Sequence, residues 1–263
     1  MFNFCSLYSG SSGNSLFVQS KNTNILVDAG ESARKIENAL SSINVDAKNI
    51  DAILVTHEHI DHVKSLGTLS KKYNIPVYAT KKTWEAMPEQ ASKIDLSLQY
   101  SFSSSEKLKI GDFTIDPFYI PHDAANPCGF NIKCNNSQMS IATDLGHITN
   151  DIVEALDESS FILLEANYDP EILRFSRYPY YLKKRISGEY GHLSNSEAGK
   201  LVAHLSNKKL NTVMLGHLSK ENNFPELAYK TVADELINKN FNSSNIHISV
   251  ASRSNPSKII KIN

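Results

Sequence analysis

Residues 56–62 read THEHIDH, which places three of the chain's nine histidines and two carboxylates, Glu58 and Asp61, within seven positions. The apolar run AILV comes just before them, so a buried strand delivers these side chains to a bend. In an extended turn, His57 and His59 can converge on one ion, while Asp61 and His62, further around the bend, can face a second. Neutral imidazole with carboxylate suits zinc, manganese or iron, whereas magnesium and calcium favour all-oxygen shells. A lone histidine here would read as a surface residue. Several ligand types at this spacing, directly after a strand, read as a metal loop.

The rest of the chain fits a focused site. It has 263 residues with 27 Lys and Arg against 28 Asp and Glu, so a polyanionic partner must be met by a local patch and not by a global field. The start, MFNFCSLYSGSSGNS, has no basic region and soon turns polar, and no run of eighteen apolar residues occurs, which predicts a cytoplasmic protein with no membrane partner. Cys5, Cys128 and Cys134 are odd in number and form no CxxC pair, against both a disulfide framework and a zinc finger. With no linker, repeat or low-complexity stretch, a single domain over residues 1–263 is expected.

Apolar runs of strand length recur as SLFVQS, NILVDAG, AILVTH, SIATDLG, FILLEAN, TVMLGH and IHISVAS, several ending in a chemically able residue. Between them lie helical faces, one through Ile36, Ala39, Leu40 and Ile43 and another through Leu227, Val232, Leu236 and Ile237. Alternating apolar residues around Gly111-Asp112 predict a hairpin. The class is α/β with a hairpin-bearing sheet.

HEHIDH resembles the signature of the metallo-β-lactamase superfamily, and that family's other motifs follow in order. The resemblance covers nearly the whole chain and implies a four-layer αββα sandwich of two mixed β-sheets with metals at one edge. It implies two divalent ions, zinc or manganese: His57, His59 and His122 (in IPHDAANP) on one, Asp61, His62 and His217 (in MLGHLS) on the other, Asp144 (in IATDLGH) between them. Asp28, closing NILVDAG, looks like the outer carboxylate that orients a ligand histidine. Taken singly, Asp28 and Asp144 could be helix caps, and His122 or His217 core histidines.

Two ions a few ångströms apart can hold a hydroxide and polarise a phosphoryl oxygen, but lactones and thioesters are open to the same chemistry. Further residues narrow the choice. LLEANYD (163–169) and GHLSN (191–195) resemble elements of the ribonuclease Z and ribonuclease J branches, which implies catalytic roles for Glu165 and His192, beside Asp61, at the leaving group. Ser194-Asn195-Ser196-Glu197 has capping-box spacing, so a helix start there could present N–H groups to a phosphate through Ser194 and Asn195. SGSSGNS (9–15) is either a flexible turn or a phosphate cradle using Ser11, Gly13 and Asn14. RFSRYPYYLKKRISG (174–188) carries five cations, four aromatics and no acid, so it reads as a nucleic-acid groove with Lys183, Lys184 and Arg185 on phosphates, or else as a solvated basic loop.

Only 21 residues separate His122 from Asp144, and 72 separate Asp144 from His217. That leaves little room for the tRNA-gripping arm of many ribonuclease Z enzymes or the inserted domain of ribonuclease J. The compact form, with SGSSGNS, PHDA, LKKRISG and GHLSN, is similar to the YycJ group, also called WalJ. This resemblance implies a 5′-to-3′ DNA exonuclease with a role in DNA repair, acting on DNA and less efficiently on RNA. Two other readings stay open: a small-molecule thioester, lactone or cyclic phosphodiester hydrolase of the same fold, and a nucleic-acid-binding or signalling module with a non-catalytic metal site.

Overall fold

The computed structural model describes residues 1–104, 106–206, 208–238 and 246–263. Residues 1–102 supply β1 (Phe2–Tyr8), β2 (Ser15–Gln19), β3 (Asn24–Val27), β4 (Ala52–Leu54), β5 (Val77–Thr80) and β6 (Gln99–Phe102). The rest of the chain supplies β7 (Leu108–Ile110), β8 (Phe113–Tyr119), β9 (Cys128–Cys134), β10 (Ser137–Ala142), β11 (Phe161–Glu165), β12 (Thr212–Gly216), β13 (His247–Val250) and β14 (Ile260–Ile262). Among the described residues these form two seven-stranded sheets, ordered β14-β1-β2-β3-β4-β5-β6 and β13-β12-β11-β10-β9-β8-β7. Both are mixed: β1–β2–β3 and β7–β8–β9–β10 pair antiparallel, whereas β3 to β6 and β10 to β13 pair parallel.

The layers follow from the two-residue period of each strand. Along β3, Ile25 and Val27 face the other sheet while Leu26 faces the opposite way; along β11, Phe161 and Leu163 point inward and Ile162 and Leu164 outward. The inner faces make one apolar core, in which the Phe4 and Phe161 rings lie 4.8 Å apart across the sheets. Truncating such a ring costs about 3–5 kcal/mol. The outer faces are covered by helices: Ala33–Ser42 lays Ile36, Ala39 and Leu40 on the first sheet, and Asn195–Leu205 with Pro225–Asn238 lays Leu201, Val202, Val232 and Leu236 on the second. The molecule is therefore an αββα sandwich.

One expectation needs adjusting and one holds. The last helix buries Ala228, Val232 and Leu236, an i, i+4, i+8 row, leaving Leu227 half-buried and Ile237 exposed because each lies about 100° around the helix from that row. The Gly111-Asp112 hairpin forms between β7 and β8, with Gly111 at φ +52° and so close to Thr23 that a Cβ would lie 2.0 Å from its hydroxyl. Among the described residues, no helix is long and apolar enough to cross a membrane.

Candidate metal centre

Parallel strands share an end, and the chemically able residues gather at that end. Asp28 follows β3, His57 lies just past β4, Asp144 just past β10, Glu165 closes β11, and His217 follows β12. Asp28, Asp144 and His217 adopt left-handed backbone with φ of 62°, 57° and 53°. That conformation costs a residue with a Cβ roughly 1–2 kcal/mol, which the surrounding contacts must hold in place.

The THEHIDH stretch divides the site between two conformations. His57 and His59 lie in the loop after β4, His59 at φ −59° and ψ 144°, and a single helical turn, Ile60–Val63, then carries Asp61 and His62 around while Val63 enters the core. Asn14 and Ala29 donate their backbone N–H groups to the carbonyls of Asp61 (2.8 Å) and His62 (2.7 Å). Gly30 makes this clasp possible, since a Cβ there would sit 1.6 Å from the Asp61 carbonyl oxygen.

Four overlapping groups of ligating atoms result among the described residues; two of them join Asp144 to His57 and His62, and to Glu165, His192 and His217, and the other two match the expected shells. His57, His59 and His122 form one, with each group's ligating atoms within 4.8 Å of one another, and Asp61, His62 and His217 form the second. Asp144 lies between them: its Oδ1 is 3.7 Å from His122 Nε2 and its Oδ2 is 3.3 Å from His62 Nε2.

The ring orientations fit a cation centre. His62 Nδ1 donates to Asp28 Oδ2 (2.8 Å), His57 Nδ1 to Thr56 Oγ1 (3.0 Å), His122 Nδ1 to the Gly191 carbonyl (3.0 Å) and His217 Nδ1 to Glu165 Oε1 (2.8 Å). Each ring thus has its Nδ1 engaged and its Nε2 turned inward, the usual arrangement for metal-bound imidazole. His57 Nε2, His217 Nε2 and Asp144 Oδ2 are buried without a hydrogen-bond partner among the described residues. Three orphaned polar atoms on facing side chains would be costly unless a cation satisfied them.

The electrostatics differ between the groups. Burial, reinforced by the neighbouring imidazoles, holds His57 well below the usual histidine range, and burial also lowers His122. Burial opposes protonation of His62 too, but the Asp144 and Asp28 carboxylates outweigh it and raise its pKa to about 9. His217 is raised well above its ordinary value against the same burial, by Asp144, Asp61 and Glu165. Asp61 is lowered in turn by His217 and His62, although burial works against it.

Glu165 and His192 come together, with His192 Nδ1 donating to Glu165 Oε1 at 2.8 Å. Glu165 is fully buried beneath the site, where the same oxygen receives His217 Nδ1 and Oε2 receives the N–H groups of Leu145 (2.7 Å) and Leu193 (3.1 Å). Burial would raise its pKa, yet His192 and His217 hold it well below the carboxylate range. Glu165 is thus placed to orient two imidazoles, while His192, at 15 % side-chain exposure, is the member of the pair open to solvent.

Residues expected to bind substrate lie in unlike settings. Ser11 is exposed, Gly13 is packed against Glu31, and Asn14 is buried, with Nδ2 3.0 Å from His62 Nε2 and 3.4 Å from Asp61 Oδ2. Ser194 caps its helix reciprocally with Glu197, and Asn195 is buried against Asn223, so both side chains are committed inward and the capping box takes up N–H groups expected to be free. Lys183 and Lys184 line a cavity of about 590 Å³ with Tyr178 and Tyr180, while Arg185 grips Asp123 through Nε (2.6 Å) and a terminal nitrogen (3.1 Å). The sequence reading assigned no role to Thr56, whose hydroxyl donates to Asp28 Oδ2 at 2.8 Å, or to Ser9, whose Oγ accepts the His217 N–H at 2.8 Å. Their nearness to the motifs was the only signal available.

Residues 23–217 match the β-lactamase superfamily domain. The chain is similar to exodeoxyribonuclease WalJ of Streptococcus pneumoniae, at 38 % identity over 89 % of this chain and 88 % of that protein. It is likewise similar to exodeoxyribonuclease YycJ of Bacillus anthracis, at 36 % identity over 90 % of each. The fold is shared with the metallo-β-lactamase fold protein YhfI of Bacillus subtilis, with a TM-score of 0.72 at 16 % identity over 98 % of this chain and 100 % of that one.

Proposed function

The chain belongs to the β-lactamase superfamily and, within it, to the group of the exodeoxyribonucleases WalJ and YycJ, and from that membership we propose a metal-dependent nuclease that removes nucleotides from the 5′ end of DNA. The observation that carries the reading is the pair of ligand groups meeting at Asp144, where His57 Nε2, His217 Nε2 and Asp144 Oδ2 are buried without a hydrogen-bond partner among the described residues. Its residues would hold two divalent ions, zinc or manganese: His57, His59 and His122 one, Asp61, His62 and His217 the other, with Asp144 between. Bound there, such ions supply an activated water and polarise a phosphoryl oxygen.

The protein's own groups do the remaining work. Asp28 and Glu165 fix the tautomers of His62 and His217 so that Nε2 faces the site. Glu165 likewise holds the proton of His192 on Nδ1, which leaves Nε2 as the nitrogen able to pass a proton to the departing oxygen of a cleaved phosphodiester. Lys183, Lys184 and Arg185, with Tyr180 and Tyr181 exposed on the same helix, supply the local cationic and aromatic surface that a chain of net charge −1 needs to hold a polyanion. All of this takes place within a single domain.

The test is a duplex labelled separately at each end and incubated with manganese or zinc. Early release of 5′ label in short products, with closed circular DNA untouched, is the expected result. Nicking of closed circles, or shortening only from 3′ ends, contradicts it.

A further inference from the structure

Asp123 follows the ligand histidine His122 and has no assigned role. Its carboxylate stands at the rim of the centre, Oδ1 3.4 Å from His122 Nε2, the nitrogen that faces the site. Arg185 grips it with two parallel hydrogen bonds, Nε to Oδ2 at 2.6 Å and a terminal nitrogen to Oδ1 at 3.1 Å. This is the fork that guanidinium offers equally to carboxylate and to phosphate. The backbone under Asp123 is fixed on both sides: its N–H donates to the Tyr190 carbonyl (3.1 Å), and Ala125 N–H donates to Glu58 Oε1 (2.7 Å). Both partners of the ion pair are partly open, Arg185 at 52 % and Asp123 at 34 % side-chain exposure, so the pair can part by side-chain rotation alone.

We propose that the Asp123 carboxylate is a placeholder for a phosphate, holding Arg185 at the rim of the centre until a phosphate of the bound strand, next to the one being cut, takes its place on the guanidinium. Asp123 is then a positioning residue and Arg185 a specificity determinant for nucleic acid over small esters. The inference rests on the nuclease reading. Energetics favour the exchange, because a half-exposed ion pair contributes only about a two- to fivefold effect, whereas a charge-assisted contact to phosphate contributes about tenfold or more. Lys183 of the same segment is held differently, its Nζ donating to the Arg174 carbonyl at 2.7 Å.

The experiment compares wild type, Arg185→Ala, Arg185→Lys and Asp123→Asn by anisotropy of a fluorescent 5′-phosphorylated oligonucleotide in excess chelator across a salt series, and by KM and kcat on the same DNA with manganese. Arg185→Ala should bind about tenfold more weakly and lose roughly 0.7–0.9 from the slope of log affinity against log salt. Arg185→Lys should recover the slope but only part of the affinity, because a point charge lacks the fork. Asp123→Asn should move the opposite way, binding about two- to fivefold tighter with a lower KM, because the competing anion is gone. If Asp123→Asn and Arg185→Ala weaken binding in parallel, the pair is only a structural tie and the proposal falls. A drop in metal content of Asp123→Asn by elemental analysis would make the carboxylate a ligand and also overturn it. Wild-type protein that neither binds nor cuts the DNA would strike the nuclease reading itself and the inference with it.

Discussion

The two ligand groups differ in how they carry protons, although both are built from imidazoles at strand ends of the same sandwich. In the group of His57, His59 and His122, burial lowers His57 and His122, so those rings meet an incoming cation as bare lone pairs at neutral pH. In the group of Asp61, His62 and His217, the carboxylates of Asp28, Asp144, Asp61 and Glu165 raise both histidines, so there a cation must displace protons. Neighbouring carboxylates, and not the ligand type, decide whether burial empties or fills an imidazole. Metal loading should therefore be stepwise, the all-histidine group first and with the fewer protons released.

Asp144 is the one residue that serves both groups, so Asp144→Asn should produce the largest effect. Both metal equivalents should weaken and turnover should fall by about 10³-fold or more, measured by elemental analysis beside end-label release. Retention of one tight equivalent would show that the groups are more independent than their shared carboxylate implies.

His192 lies beyond both groups. His192→Ala should lower turnover by about 10²–10⁴ while both metals stay bound. A substrate with a nitrophenolate leaving group, which needs no proton, should lose far less; equal losses on both substrates would leave His192 a positioning role only.

Asp28 contacts the second group directly, through His62, and reaches the first only by way of the Thr56 hydroxyl that also meets His57 Nδ1. Asp28→Asn should weaken the second metal equivalent by about 10–100-fold and the first far less. Competition with a chromogenic chelator resolves the two, and equal weakening would erase the distinction between the groups.

The same contrast between the groups predicts a pH effect on the metal-free protein. His62 is raised in the folded state, so its contribution is complete below about pH 6.5, its unfolded value, and is lost as pH rises through about 9, on the order of 3 kcal/mol in total. His57 and His122 are lowered, so their contribution is complete above about pH 6.5 and is lost as pH falls below it. Denaturant midpoints of metal-free protein should therefore peak near neutrality and decline on both sides. Metal should lift the alkaline limb most, since it replaces the protons that His62 and His217 lose there.

How much of this was legible in the sequence depended on distance along the chain. THEHIDH puts four ligand candidates in one bend, and Asp28, His122, Asp144 and His217 each end or follow an apolar run, so strand ends and candidate site residues could be read together. The Gly111-Asp112 hairpin and the face of Ile36, Ala39 and Leu40 were legible for the same reason, being set by two- and four-residue periods. The capping box at Ser194 was visible as well, but not that it would take up the N–H groups a phosphate might have used, because that depends on which rotamer Glu197 selects.

Local pattern by itself thus determined the α/β class, the strand-end placement of the chemistry and the ligand candidates, because side-chain periodicity and short motif spacing are properties of neighbouring residues. Only the tertiary structure decided the orientation and charge of those groups. Glu165 lies beneath both His192 and His217, Thr56 bridges to Asp28 across adjoining strands, and Asp123 meets Arg185 from 62 positions away. A hydrogen bond or a shift in protonation is set by what lies within a few ångströms, and in a two-sheet sandwich those neighbours come from strands far apart in the chain.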